Sequence, residues 1–213
     1  MTYHTLIFDL DGTLTDPLTG IMRCMNYALS YHDHQPKSEH EIKPYIGPPL
    51  ELALKELSGT EDESHVRELV STYRERYGEL GYAENTVYDG IYKLLDLLQA
   101  NHTRMGVCTS KFEKYAIKVL KEFKLDHYFE FVSGSSYGIT KSEQLIDLIN
   151  NKVVPQNSLM IGDRGIDLIA ARTAGMSGAG VLWGYGNREE LAAEQPRFLF
   201  ETPELLGDTL LSL

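Results

Sequence analysis

The chain has 213 residues, 42% of them hydrophobic and 24% charged, so it can bury a full apolar core and is not expected to be disordered. Thirty-one acidic against twenty basic residues give a formal charge of -11, which opposes the phosphate backbone of nucleic acids and anionic membrane surfaces and removes both as expected partners. The two cysteines, Cys24 and Cys108, lie far apart and form no C-x-x-C pair, which argues against a disulfide framework or a zinc site and suits a reducing cytoplasm.

In chain order, the stretch MTYHTLIFDLD carries neither a basic leader nor an uninterrupted apolar segment, and no stretch approaches the length of a membrane span, so a cytoplasmic location is expected. Residues 6–16 read LIFDLDGTLTD, an apolar run fit for a buried strand that ends in two carboxylates, Asp9 and Asp11. Carboxylates that close repel, and burying either without a partner costs several kcal/mol as an order of magnitude, so a cationic partner is expected there. The plain alternative is that Asp11-Gly12 is only a turn dipeptide.

From about 17 to 86 no convincing β run occurs. Ile21, Cys24, Met25, Ala28 and Leu29 make one apolar stripe, and Val66, Leu69, Val70 and Tyr73 another, so this span reads as a helical insertion. Within it, residues 46–50 (IGPPL) stiffen a loop before a further helix, with Pro49 placed to enter its first turn. His32 and His34 flank Asp33 in a polar turn, and a metal role there is not expected. Arg23, Arg74 and Arg76 read as salt-bridge partners on helix surfaces. After the insertion, short apolar runs at 105–108, 129–132, 159–161 and 180–182 alternate with helical stripes. One stripe is Ile91, Leu94, Leu95 and Leu98; another is Ile166, Ile169, Ala170 and Thr173 before Gly175. The expected fold is α/β: a Rossmann-like parallel sheet core over 1–16 and 87–213, flanked by helices, with an inserted α-helical cap domain over 17–86.

In a parallel sheet, polar residues just past each run gather in the crevice at the strand carboxyl ends. That brings Thr109, Ser110 and Lys111, then Lys141, then Asp163 and Asp167, to Asp9 and Asp11. Four carboxylates with a hydroxyl and a lysine fit a hard divalent cation, most simply Mg²⁺, and a phosphate held by the lysine and the hydroxyl. Each residue also has an ordinary reading. Asp167 is placed to be a first-turn helix acid, Thr109 a helix cap, Ser142 the cap of the helix bearing Leu145 and Ile146, and Lys111 a solvated lysine. Thr109 is kept as a site residue and Lys111 is not.

The set FDLDGTLTD at 8–16, VCTS at 107–110, Lys141 and IGDRGID at 161–167 resembles the phosphatase branch of the haloacid dehalogenase superfamily. GVLWGYG at 180–186, followed by Glu189-Glu190-Leu191, and the insertion bearing IGPPL are similar to its phosphoglycolate-phosphatase group with a helical cap. The resemblance covers nearly the whole chain, and order, spacing and strand context agree. It implies a Mg²⁺-dependent phosphatase acting on a small phosphomonoester, of the phosphoglycolate type or a nucleotide. Asp9 would attack phosphorus to form an aspartyl-phosphate, and Asp11 would be acid and then base. Thr109 and Lys141 would bind the phosphoryl oxygens. The implied metal set is Asp9, Asp163 and the backbone carbonyl of Asp11, with Asp167 orienting the metal shell or Lys141. A sugar phosphomutase of the β-phosphoglucomutase type, a pyrophosphatase and a silent binding protein are the alternatives. Against the mutase, residues 39–50 hold Lys43 as their one cation and lack the arginine that such a resemblance would imply. The partner implied is a small phosphorylated substrate; the oligomeric state is not legible.

Overall fold

A computed structural model of the protein describes residues 3–136 and 138–213. Two compact units emerge: one comprises residues 1–15 and 87–213, the other residues 16–86.

The first unit is built on a six-stranded sheet: β1 (Thr5–Phe8), β4 (Arg104–Phe112), β5 (Val132–Ser135), β6 (Ser158–Gly162), β7 (Ser177–Val181) and β8 (Phe198–Phe200). Two-residue strands β2 (Thr15–Asp16) and β3 (Thr86–Val87) form a separate two-stranded sheet. The sheet order is β5-β4-β1-β6-β7-β8, and every pairing in it is parallel. β1 is therefore central, and the sheet is built outward from it first on the β4 side and then on the β6 side, the arrangement that opens a ligand crevice at the strand carboxyl ends. Its register matches Phe8 to Val107 on one side and to Ile161 on the other, so Asp9, Thr109 and Asp163 lie just past one shared edge. Leu6, Ile7, Phe8, Val107, Cys108, Leu159, Met160 and Ile161 are all buried, as strands covered on both faces require. Helices α5 (Ile91–Ala100), α6 (Glu113–Glu122), α7 (Lys141–Asn150), α8 (Gly165–Thr173), α9 (Arg188–Ala193) and α10 (Pro203–Leu211) complete this unit.

The second unit is helical: α1 (Leu18–Tyr31), α2 (Glu39–Ile42), α3 (Leu50–Ser58) and α4 (Glu63–Glu79). Both expected stripes, Ile21 to Leu29 on α1 and Val66 to Tyr73 on α4, are buried. Pro49 is the N-cap of α3 and not a first-turn residue; its extended ψ of 137° keeps it outside the helix. Arg23 and Arg76 both pair with Glu84, at 2.7 and 2.8 Å, and Arg74 pairs with Glu51 at 2.9 Å. Neither cysteine is in a disulfide. Among the described residues no helix is long and apolar enough to cross a membrane.

Four local expectations are corrected. Ile166 and Ile169 are 37% and 40% exposed, and the buried face of α8 is instead Asp167, Leu168, Ala170 and Ala171, continued by Ala174 just past the helix. Turning Asp167 inward sets the phase of the helix, and alanines three, four and seven positions on from it let the helix lie close to the sheet. The third run starts its ladder at Glu130, whose N–H reaches the Met105 carbonyl at 2.9 Å, but the regular strand is Val132–Ser135. α7 is capped by Thr140, reciprocally with Glu143, so Ser142 lies inside the helix and Lys141 is its first residue. Thr109 caps no helix, because α6 starts only after Phe112.

Candidate active site

The turn after β1 is tight: Gly12 N–H reaches the Thr15 carbonyl at 2.8 Å, and Leu14 N–H returns to Leu10 at 2.9 Å. Gly12 takes φ +89°, and a Cβ there would stand 2.2 Å from Asp163 Oδ2, so this position needs glycine twice over. The turn packs directly on the end of β6 as a result. Thr13 Oγ1 donates to Asp163 Oδ1 at 3.2 Å. From the other side the 180–186 loop folds over the same carboxylate, with Tyr185 N–H donating to Oδ2 at 2.8 Å and Trp183 Nε1 donating to the Thr13 carbonyl at 2.9 Å.

Lys141, at the start of α7, lies between two carboxylates. Its Nζ is 2.9 Å from Asp9 Oδ1 and also bonds Asp167 Oδ1. The contact with Asp9 is an ion pair without hydrogen-bond alignment. Asp167 Oδ2 accepts the Arg164 N–H at 3.0 Å, and Glu190 holds the same turn through Gly165 N–H at 2.8 Å and Arg164 Nε at 2.9 Å. A Cβ on Gly162 would stand 2.2 Å from Asp167 Oδ2, so β6 must end in glycine to admit that side chain.

The structure brings Asp9, Asp163, Asp167 and Lys141 together, with carboxylate oxygens of the three aspartates within 4.8 Å of one another. All are buried. Three carboxylates against one ammonium leave two negative charges unmatched, and the energetics of burial forbid that as a resting arrangement. The electrostatics record the conflict. Burial, then Asp167 and Asp9, push the Asp163 carboxyl well above the usual carboxylate range, and burial also raises Asp167 against the pull of Lys141. Burial alone would lower Lys141, but Asp167 and Asp9 outweigh it and hold the ammonium charged. An all-oxygen donor set two charges short fits one hard divalent cation.

Asp11 makes a second pair. Its Oδ2 lies 2.5 Å from Lys111 Nζ, and its buried Oδ1 has no hydrogen-bond partner among the described residues. Burial raises the Asp11 carboxyl, with Lys111 opposing. Lys111, set aside by the sequence reading, thus belongs to the site. Thr109, 1% exposed, accepts the Lys111 N–H at 3.2 Å, and its carbonyl accepts from Gln144 Nε2 at 3.3 Å. Cys108 beneath it is inert, its thiol pushed up to about 12 by burial. Glu190, Tyr185 and Thr13 are further supports that the sequence reading missed.

A central strand ending in paired acids, with lysines aimed at them, defines an enzyme built to handle a phosphoryl group. A family model described as haloacid dehalogenase-like hydrolase matches residues 6–181. A 5'-nucleotidase of Pseudomonas aeruginosa is 37% identical over 200 residues, spanning 92% of this chain and 90% of the relative. A pyrophosphatase of Bacillus cereus is 29% identical over 211 residues, spanning 94% and 93%. The crystal structure of a predicted phosphatase from Clostridium acetobutylicum matches the whole of both chains with a TM-score of 0.93 at 32% identity. The chain belongs to the haloacid dehalogenase-like hydrolase family, as an enzyme of its phosphatase type.

Proposed function

We propose that the protein is a Mg²⁺-dependent phosphatase that hydrolyses a small phosphomonoester, a nucleoside 5'-monophosphate by preference, through an aspartyl-phosphate on Asp9. The observation that carries this reading is the buried set of Asp9, Asp163 and Asp167, two charges short of balance at the carboxyl edge of the sheet. The choice of nucleotide is supported by the 37% identity to a 5'-nucleotidase over most of both chains.

Asp9 and Asp163, with the backbone carbonyl of Asp11, are assigned to hold the cation. When bound it neutralises the developing phosphoryl charge and keeps Asp9 and the phosphate from repelling each other. The Asp9 carboxylate attacks phosphorus in line, the ester oxygen leaves, and Asp11 gives that oxygen its proton. Asp11, now ionised, takes a proton from water, which attacks the aspartyl-phosphate, releases inorganic phosphate and restores Asp9. Lys141 and Thr109 hold the equatorial oxygens. Asp167 keeps Lys141 in place, its Oδ1 accepting from the Lys141 ammonium while its Oδ2 accepts the Arg164 N–H. The helical unit acts as the cap that excludes water and selects the leaving group.

The test is a phosphate-release screen over nucleoside 5'-monophosphates, phosphoglycolate, pyrophosphate and β-glucose 1-phosphate with catalytic glucose 1,6-bisphosphate. Release should be fastest from the nucleotides, vanish in excess chelator, return with Mg²⁺ and stay low with the larger Ca²⁺. Full activity in chelator would remove the metal from the reading. Glucose 6-phosphate accumulating faster than phosphate would replace hydrolysis by mutase chemistry.

The cation also has a signature apart from turnover. Asp163 is raised in the folded, metal-free protein, so its contribution to stability is complete below the unfolded carboxyl value of about 3.9 and is lost as pH rises through the folded value. The Tm of chelator-treated protein should therefore fall relative to Asp163→Asn between roughly pH 5 and pH 8. Mg²⁺ should raise the wild-type Tm most at the alkaline end. Parallel Tm profiles for the two metal-free proteins would contradict this.

A further inference from the structure

The helical unit carries a second cluster that phosphate chemistry does not use. α1 ends with His32 as its C-cap, Asp33 turns with φ +60°, and His34 N–H closes back onto the Leu29 carbonyl at 2.9 Å. That reversal brings two imidazoles against α4. The His32 ring meets the His65 ring edge-on with centroids 5.3 Å apart, and the His34 ring is 5.1 Å from it. His34 Nε2 lies 2.8 Å from His65 Nε2. Glu68, one turn along α4 from His65, places Oε2 at 3.6 Å from His65 Nδ1, beyond hydrogen-bond reach. One nitrogen or oxygen from each of His32, His65 and Glu68 fall within 4.8 Å of one another.

We propose that His32, His65 and Glu68 form a binding site for one divalent transition-metal ion of the Zn²⁺ class, with His34 holding the His65 ring from its far side and no residue shared with the acidic cluster on the sheet. The chemistry of the donors selects the ion. Imidazole nitrogens with one carboxylate suit Zn²⁺ and its neighbours, whereas Mg²⁺ prefers oxygen. At a tetrahedral site with ~2.0–2.1 Å bonds the donors stand about 3.3 Å apart, so His65 Nδ1 and Glu68 Oε2, 3.6 Å apart, need close only slightly.

The surroundings present the rings in the form a metal takes. Thr72 donates its hydroxyl proton to the Glu68 carbonyl at 3.1 Å, so it must accept one from His32 Nε2 at 2.9 Å, which leaves Nδ1 with the lone pair. Paired to His34 Nε2 at 2.8 Å through its own Nε2, His65 turns Nδ1, the nitrogen nearest Glu68, toward the ion. The rings are only partly buried, so an ion can reach them. A hydrogen-bonded imidazole pair alone would explain His34 and His65, but not the convergence of His32 and Glu68 upon them.

The experiment titrates chelator-treated protein, kept in excess Mg²⁺ so that the acidic cluster is filled, with Zn²⁺ by calorimetry at neutral pH. One Zn²⁺ should bind per chain and raise the Tm, and Co²⁺ in its place should give the strong visible absorption of a four-coordinate ion. His32→Gln with His65→Gln should weaken Zn²⁺ binding by roughly 100-fold or more. Asp9→Asn with Asp163→Asn should leave it in place. If the histidine pair of substitutions disturbs the circular dichroism spectrum, His65→Gln alone provides the comparison. Absence of a Zn²⁺-dependent Tm rise in wild type, or the same affinity in the histidine variants, would overturn the site.

Discussion

Asp9→Asn is expected to cut phosphate release by roughly 10⁴-fold or more, the scale on which loss of a nucleophile is felt, without unfolding the protein. The amide keeps the shape of the side chain but has no lone pair of carboxylate strength to attack phosphorus. The same substitution removes one of three buried negative charges held by a single lysine, so in the metal-free protein it relieves repulsion. The variant should therefore match or exceed the wild-type Tm in chelator while being silent in turnover, a combination that general misfolding cannot produce. Acid-quenched wild type should carry labelled phosphate from a labelled monoester, and the variant none. Asp9→Ala serves as a control against slow hydrolytic reversion of the asparagine. Phosphate release within tenfold of wild type in either variant would move the nucleophile elsewhere.

What could be read from the sequence divides along physical lines. Short apolar runs ending in Gly, Asp, Ser or Thr specify buried parallel strands, because nothing else hides four or five consecutive apolar side chains and then turns polar. Once β1, β4 and β6 are neighbours, Asp9, Thr109 and Asp163 have no alternative but to share an edge. The stripes of α1 and α4 were legible for a similar reason, since their buried faces are made of large apolar residues. α8 was not, because its inward face mixes Asp167 and small alanines with a single large apolar residue, Leu168, while its isoleucines face out. A pattern of hydrophobicity cannot see a helix whose phase is set by a buried acid.

Lys111 escaped for a subtler cause. The β4–β5 register shifts between Thr109 and Phe112, and the strand continues past the edge where it was expected to stop, carrying Lys111 back over Asp11. In a local window Ser110-Lys111-Phe112 is an ordinary surface tripeptide. The supports from Tyr185 and Gly165 are backbone N–H groups, which no choice of side chain announces. The histidines of the helical unit lie 31 to 40 positions from their partners, too far for spacing to suggest a cluster.

Asp11→Asn is expected to separate substrates by their leaving groups. Asp11 is buried beside Lys111, and burial raises its carboxyl while Lys111 restrains the rise. A raised carboxyl keeps its proton to higher pH than a free one, the direction that suits an acid protonating a departing alkoxide. Turnover of an alkyl monoester should fall by about 10²–10⁴-fold in Asp11→Asn, the usual worth of general acid–base help. An aryl ester whose leaving group needs no proton should still phosphorylate Asp9, giving a burst of released phenol followed by a stalled phosphoenzyme, because water now lacks its base. Lys111→Met should shift the other way in pH. Removing the ammonium raises Asp11 further, so the alkaline limb of kcat/KM, where the acid loses its proton, should move to higher pH while the fold is retained. If Asp11→Asn slows alkyl and aryl esters equally and no phosphoenzyme accumulates, Asp11 is not the proton carrier, and an unmoved alkaline limb in Lys111→Met would separate that lysine from the proton transfer.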